Sequence, residues 1–327
     1  MEDWLSLAAE RAGPLHAVLV TVAIVEGSVP REPGARMLVD AVRQWGTVGG
    51  GHLELRGAET ARAMLAGGEK RRLERFPLGP SLGQCCGGVV HLAFELVDRD
   101  HLAALAARPR EDSWRLVALD GAADIALLDA DGRTLLGGAA PDPDRTQGTH
   151  VLRDAIGRRW LADRIDAPRA HLMLFGAGHV GAAIVHALGD LPCRVTWVDE
   201  RDDLFPATLA RNVTVEATDT PEALAAGAAP GTSFLVMTHS HALDQRLAET
   251  ILKRPGHDWF GLIGSSTKRV QFERRLCERG IEQARLDGMV CPIGIPGIEG
   301  KLPAVIAAAV AAQLLMVWEA SVSNERI

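Results

Sequence analysis

Tyrosine is absent from the 327 residues, so aromatic packing falls to seven Phe and seven Trp. Positive charge is in deficit: 35 Lys and Arg against 42 Asp and Glu give a formal net charge of −7. Nothing in that balance drives counterion release from a phosphate backbone, which argues against general nucleic-acid binding. The one compact basic cluster, Lys70-Arg71-Arg72 with Arg75, reads as decoration of a helix end or a strand edge. Five cysteines, an odd count in a long chain, do not form the framework of a disulfide-stapled secreted domain. The opening MEDWLSLAAERAG lacks the apolar core of a signal peptide. The longest apolar run, Leu302–Trp318, is Ala-rich, has Pro303 near its start and Gln313 inside, and reads as a helix packed on a sheet rather than a membrane span. Repeats and low-complexity tracts are also missing. The expectation is a cytoplasmic protein with neither membrane nor nucleic acid as partner.

Apolar residues at 47% and charged residues at 24% are ordinary for a folded chain, and at roughly 150 residues per domain the length suggests two domains. Residues 137–148 (GGAAPDPDRTQG) break both the helix and the strand period, and the Arg-rich stretch 150–165 reads as a bridging helix. The expected division is therefore 1–140, a linker with its helix at 141–169, and 170–327. In the first part, 2–12 and 52–66 look helical, while 15–25, 35–40, 89–97, 114–119 and 125–128 look like strands, an α+β domain with a mixed sheet. In the last part, apolar strands at 171–175, 194–198, 212–216, 233–237 and 259–263 alternate with helices at 179–189, 220–227, 242–253 and 267–279. Such βα alternation requires crossovers between parallel strands. The expected fold class is α/β: a C-terminal Rossmann-like doubly wound sheet plus an N-terminal α+β domain.

Gly176-Ala177-Gly178-His179-Val180-Gly181 directly follows the strand HLMLF and opens a helix, the context that makes a GxGxxG run informative. The three glycines suit a tight turn, close approach to a phosphate and close helix–strand packing, with the helix N-terminus facing the anion. Asp199 closes the next strand, where an acid can accept from ribose hydroxyls. These residues point to a Rossmann fold and leave its function open. His239, His241 and Asp244 follow the fourth strand and could contact a polar ligand, ligate metal or simply open a helix. Ser265, in GSSTKR, either lines an anion nest or caps a helix. The Gly/Pro-rich stretch 291–303 follows a fixed irregular path, as a ligand mouth or as a helix lead-in.

In the first part, Cys85-Cys86-Gly87-Gly88 sets adjacent thiols among glycines. A thiolate is a soft metal ligand and a sulfur carrier, whereas a buried cysteine is inert. Cys193, Cys277 and Cys291 are expected to be buried. Two further turns, 27–31 with Arg31 and the nearby Arg36, and Gly49-Gly50-Gly51-His52, resemble anion nests. Each alone could be a mere turn; together with the thiols they suggest one shared site.

Seven segments resemble the XdhC/CoxI family in sequence and order: GSVPREPGARM at 27–37, GTVGGGHLE at 46–54, LGQCCGGVV at 82–90, LFGAGHVG at 174–181, THSHALD at 238–244, FGLIGSSTKR at 260–269 and CPIGIPGIEGKLPAVIA at 291–307. The His239/His241 pair resembles the xanthine dehydrogenase branch of that family. The resemblance implies a molybdenum-cofactor chaperone acting in purine catabolism. Such a protein would bind molybdopterin cofactor, support its sulfuration with a cysteine desulfurase and insert it into xanthine dehydrogenase, and would not itself be the dehydrogenase. On this reading Cys85 or Cys86 lies near the molybdenum, and the glycine turns with Gly49, Gly50, Gly51 and Gly87, together with Arg31 or Arg36, lie near pterin or phosphate. Gly176, Gly178, His179, Gly181, Asp199, His239, His241 and Ser265 would hold a nucleotide, NAD(P) included, or the same cofactor. A symmetric homo-oligomer, a dimer, is the default association. The competing readings are an NAD(P)-dependent oxidoreductase, with its acid–base among His239, His241 and Asp244, and a scaffold that holds no cofactor.

Overall fold

The structure, a computed structural model, describes residues 16–79, 87–108, 111–256 and 258–324. The helix expected at 2–12 lies outside them. The chain divides into two compact units, Met1–Ala167 and Pro168–Ile327.

The first unit holds two five-stranded sheets, each antiparallel throughout, where the sequence suggested one mixed sheet. One sheet orders β3 (Gln44–Gly46), β2 (Arg36–Val39), β1 (Val18–Glu26), β5 (Val89–Leu96) and β4 (Arg71–Pro77). The basic cluster therefore lies on an edge strand, as expected. The second sheet orders β8 (Thr134–Gly137), β7 (Ile125–Asp129), β6 (Ser113–Ala118), β10 (Arg159–Ile165) and β9 (His150–Arg153). Helix α1 (Gly51–Gly67) covers the outer face of the first sheet, joining Leu53, Ala58, Ala61 and Met64 to Val18, Val20, Met37 and Phe94. The alternate residues of β1 face the other way. Leu19 packs with Leu102 and Leu105 of α2 (Arg99–Ala106) and with Leu127, and Ala23 with Val117 and Leu161. Burial on both faces explains why β1 reads as an unbroken apolar run.

The bridging helix expected at 150–165 is instead the β9–β10 hairpin. Gly157 sits at φ 83° and donates to Asp154 O at 2.9 Å, while Asp154 Oδ1 accepts from the N–H groups of Ile156 and Arg158. The turn chemistry of Asp-Ala-Ile-Gly overrides the helical look of the arginines. Along β10 the period is two: Trp160 and Ala162 pack on one face, Leu161 on the other.

Four charges are buried between the two sheets. Arg36 reaches Asp163 through Nη2–Oδ1 at 2.6 Å and Nε–Oδ2 at 3.2 Å, Arg115 Nη1 donates to the second Asp163 oxygen at 2.9 Å, and Arg115 Nη2 donates to Glu95. Asp163 and Arg115 are both 0% exposed. Two cations meet two anions, so the cluster is neutral, but loss of one partner strands an uncompensated charge. Asp163→Ala is expected to lower stability by about 3–5 kcal/mol, against about 0–1 kcal/mol for the exposed Arg274→Ala. Urea denaturation measures both, and equal effects would refute a structural role for the cluster.

The second unit is a six-stranded parallel sheet in the order β13 (Val213–Ala217), β12 (Cys193–Asp199), β11 (Ala170–Phe175), β14 (Ser233–Val236), β15 (Phe260–Leu262), β16 (Met289–Val290). Helices α3 (His179–Leu188) and α8 (Pro303–Asn324) cover the face carrying Leu172, Leu174 and Trp197. On the opposite face, α4 (Pro221–Gly227), α5 (His241–Leu252), α6 (Ser266–Glu278) and α7 (Gln283–Asp287) pack on Phe175, Phe234, Val236 and Phe260. Arg254 closes the C-terminal end of α4 by donating to the carbonyls of Ala225, Ala226 and Ala228, beneath which lies the Phe234 ring. Among the described residues, α8 alone is long and apolar enough to cross a membrane. It is longer than the apolar run suggested, and it docks through Ala307, Val310, Ala311 and Leu314, with Trp318 Nε1 donating to Ser233 Oγ. Cys193 and Cys291 are buried as expected, but Cys277 is exposed, because it lies on the outer face of α6.

Candidate functional site

The first unit brings its glycine-rich turns together. Gly88 N–H donates to Ser28 O at 3.1 Å and Gly88 O accepts from Leu78 N–H at 2.8 Å. A Cβ on Gly88 would collide with the carbonyl oxygens of Glu26 and Ser28, so only glycine permits this contact. The same 27–31 turn touches the next nest: a Cβ on Gly49 would overlap Pro30 and lie 3.6 Å from Arg31 Cγ. Gly87 is exposed beside this junction, and Cys85 and Cys86, which precede it, lie outside the described residues.

Gly49, Gly50 and Gly51 have φ of 129°, 73° and 61°, a left-handed run that L side chains rarely adopt. It ends at α1, whose N-cap Gly50 has no side-chain cap. Glu54, a residue the sequence reading passed over, reaches back from the first turn. Its Oε2 accepts from Gly50 N–H at 3.1 Å and from Thr47 Oγ1 at 2.5 Å, and its Oε1 from Gln44 Nε2 at 2.8 Å. An acid in the first turn, soon after a glycine N-cap, was the available signal. Arg31 is exposed and forms no ion pair or hydrogen bond among the described residues, and His52 is exposed as well. Arg36, expected to grip an anion, is instead buried against Asp163 and donates to Arg164 O. It anchors the end of the turn, and Gly34 packs against Thr149, whose hydroxyl donates to Asp163.

In the second unit, strand order reverses between β11 and β14, and a shallow cleft lies beside that switch point. Gly176, Asp199, Glu200, Pro221, Thr238 and His239 are among its walls. A Cβ on Gly176 would strike Met237 O and one on Gly181 would strike Gly176 O, whereas Gly178 faces open space. The roles expected of the three glycines thus separate: two allow packing, and one leaves room for a ligand at the start of α3. His179 is exposed there, and α3 has no acid in its first turn and no side-chain cap. Asp199 accepts from Ala177 N–H at 2.7 Å and from Arg201. Burial pushes its carboxyl up, but the hydrogen bonds from Arg201 and Ala177 outweigh that and hold it below the usual carboxylate range.

His239 lines the cleft, and His241 is exposed at the start of α5. Asp244 is buried and fully engaged. Its Oδ1 accepts from Thr238 N–H and Oγ1, and its Oδ2 from Lys268 Nζ at 2.7 Å. Lys268 also donates to Ile263 O, so this pair fixes the 238–240 turn against the ends of β14 and β15. Ser265 acts as the N-cap of α6, accepting from Lys268 N–H. Burial pushes the Cys193 thiol up to about 11 and raises that of Cys291, which makes both poor nucleophiles. Among the described residues, no group of three His, Cys, Asp or Glu is placed to hold a metal ion.

The class is a two-unit protein whose second half is a Rossmann domain. Residues 172–314 match the XdhC Rossmann domain and residues 11–77 match the XdhC and CoxI family, so the chain belongs to that family. It is 28% identical over 170 residues to the uncharacterized protein YqeB of Escherichia coli (strain K12), a match covering 51% of this chain and 31% of that protein. A crystal structure described as a xanthine dehydrogenase from Bacillus halodurans superposes with a TM-score of 0.76 at 21% identity, covering 98% of this chain and 96% of that one. At that identity the likeness establishes a shared fold.

The glycine assignments are directly testable. Gly176→Ala and Gly181→Ala, which place Cβ against backbone carbonyls, are each expected to lose about 1–3 kcal/mol or more, while Gly178→Ala should lose less than about 1 kcal/mol. Thermal unfolding of the three variants checks the order, and equal losses would contradict it.

Proposed function

We propose that this chain is an accessory protein that binds molybdenum cofactor, supports its sulfuration and inserts it into xanthine dehydrogenase. Family membership supports a role in xanthine dehydrogenase maturation. The observation that carries the finer reading is the meeting of three glycine-rich turns in the first unit, with Arg31, unpaired among the described residues, close to Gly49 just before α1.

The cargo's phosphate suits the α1 N-terminus, where the first-turn N–H groups that follow the Glu54-held Gly50 lack helical partners and Arg31 supplies charge-assisted donors. Cys85 and Cys86, next to Gly87, would approach the molybdenum, for which thiolate is a fitting soft ligand. Glycines at 49–51 and 87–88 remove side chains that would keep a bulky planar cargo from the backbone. A chaperone must also release its cargo. An exposed arginine and a helix start already shared with Glu54 favour moderate affinity over a locked complex. A cysteine desulfurase as sulfur donor, xanthine dehydrogenase as recipient, a dimeric state and a cytoplasmic location complete the proposal.

The competing oxidoreductase reading draws on the cleft of the second unit and on His239 in its wall. It loses one of its three acid–base candidates, because both oxygens of Asp244 are engaged by Thr238 and Lys268.

The test is retention of purified molybdenum cofactor through gel filtration, read as metal and as oxidised-pterin fluorescence in the protein peak. Wild-type chain should retain near-stoichiometric cofactor. The Cys85→Ser/Cys86→Ser double variant should retain little while unfolding at the wild-type temperature, and Arg31→Ala should weaken retention about tenfold, as expected for a charge-assisted contact. Wild-type retention in both variants would refute the assignment.

A further inference from the structure

In the Rossmann pattern, the acid that closes the second strand receives the ribose hydroxyls of a bound dinucleotide. Here that acid is already full. Asp199 Oδ1 accepts from the Arg201 N–H at 3.0 Å and from its Nε at 2.9 Å, while Oδ2 accepts from Arg201 Nη2 at 3.0 Å and from Ala177 N–H at 2.7 Å. A carboxylate offers about four lone-pair directions, and four donors occupy them. The two partners differ in exposure: the Asp199 side chain is 3% exposed and the Arg201 side chain 40%. The arginine lies on the solvent side and is the partner free to move.

An arginine here could instead grip a 2′-phosphate, as in NADP-binding relatives of the fold. Its surroundings oppose that role. Glu200, Asp202 and Asp203 adjoin it in sequence, and the negative charges of Glu200 and Asp203 act on its guanidinium directly. A phosphate dianion placed against Arg201 would face carboxylates that no second cation of the 199–203 segment offsets. A neutral diol meets no such repulsion. Glu200 and His239 line the same shallow cleft as Asp199, so a ribose reaching the acid would meet their polar groups. The opening at Gly178 leaves room for the attached diphosphate to approach α3.

We propose that Arg201 is a built-in competitor. It caps Asp199 in the free protein and swings aside when the ribose diol of a nucleoside diphosphate or a dinucleotide without a 2′-phosphate takes its place. The cleft thus binds such ligands weakly by design of its own side chains, and selects against a 2′-phosphate. This reading rests on residues of the second unit alone and stands or falls without the cargo site proposed in the first.

The experiment is isothermal titration of the full-length protein with NAD+ and NADP+ as probes. Arg201→Met should bind NAD+ about fivefold more tightly than wild type, the gain expected from removing a partly exposed competing ion pair. Arg201→Lys, which keeps the charge but loses the two-pronged contact, should fall between them. Adding Asp199→Asn to Arg201→Met should abolish the gain, and NADP+ should bind more weakly than NAD+ throughout. Unchanged or weaker NAD+ binding by both Arg201 variants, with unfolding temperatures matching wild type, would overturn the proposal and make Arg201 a ligand contact or a brace. Tighter wild-type binding of NADP+ than of NAD+ would overturn the diol preference. If no variant binds either probe at millimolar concentration, the cleft is not a nucleotide site; cofactor retention by the first unit is a separate readout and would be unaffected.

Discussion

The first unit is organised around charges that it buries. Arg36 and Glu95 from one sheet meet Arg115 and Asp163 from the other, where neither water nor a bulk counterion helps. A neutral buried quartet contributes little net stability compared with apolar packing, but it tolerates few alternatives, since each charge needs its partners in place. What it specifies is position. Arg36 ends the glycine-rich turn that begins at Gly27, and Thr149, which donates to the same aspartate, abuts Gly34 in that turn. The turn is thus held from behind by the second sheet while its front touches Gly49 and Gly88. The segment that supplies Arg115, Thr149 and Asp163 lies between the two matched family regions, 11–77 and 172–314.

Both units share a further device. Each has a glycine-rich turn at a helix start, and in each a carboxylate of the chain already sits among nearby donors: Glu54 on Gly50 N–H, Asp199 on Ala177 N–H. Donors satisfied within the chain cost the folded protein little desolvation, and an incoming ligand must compete for them. A ligand at either turn therefore has to displace a partner that the chain itself supplies.

Much of the second unit was legible because each apolar strand is followed by a helix, and a GxGxxG run in that context has few other readings. Five strands and four helices lie where the periodicities put them, within a residue or two. The first unit was harder for identifiable reasons. Arginines in 150–165 suggested a solvated helix, although Asp154 and Gly157 carried a turn signal that divides the segment into strands. Arg36 looked like an anion ligand because nothing local announces a partner as remote in sequence as Asp163. Sequence order also could not show that the turns at 27–31, 49–51 and 87–88 touch; the glycines carried the hint, since each contact excludes a Cβ. Short, half-exposed strands such as β3 and β8 lack the apolar run that marks a strand.

The central claim is that cargo is held by the glycine turns of the first unit. Hydrogen–deuterium exchange of the full-length protein, with and without molybdenum cofactor, tests it most directly. Protection should appear at residues 27–31, 47–53 and 82–90, with the 174–181 and 238–241 segments unchanged. Protection confined to those two segments of the Rossmann unit would contradict it.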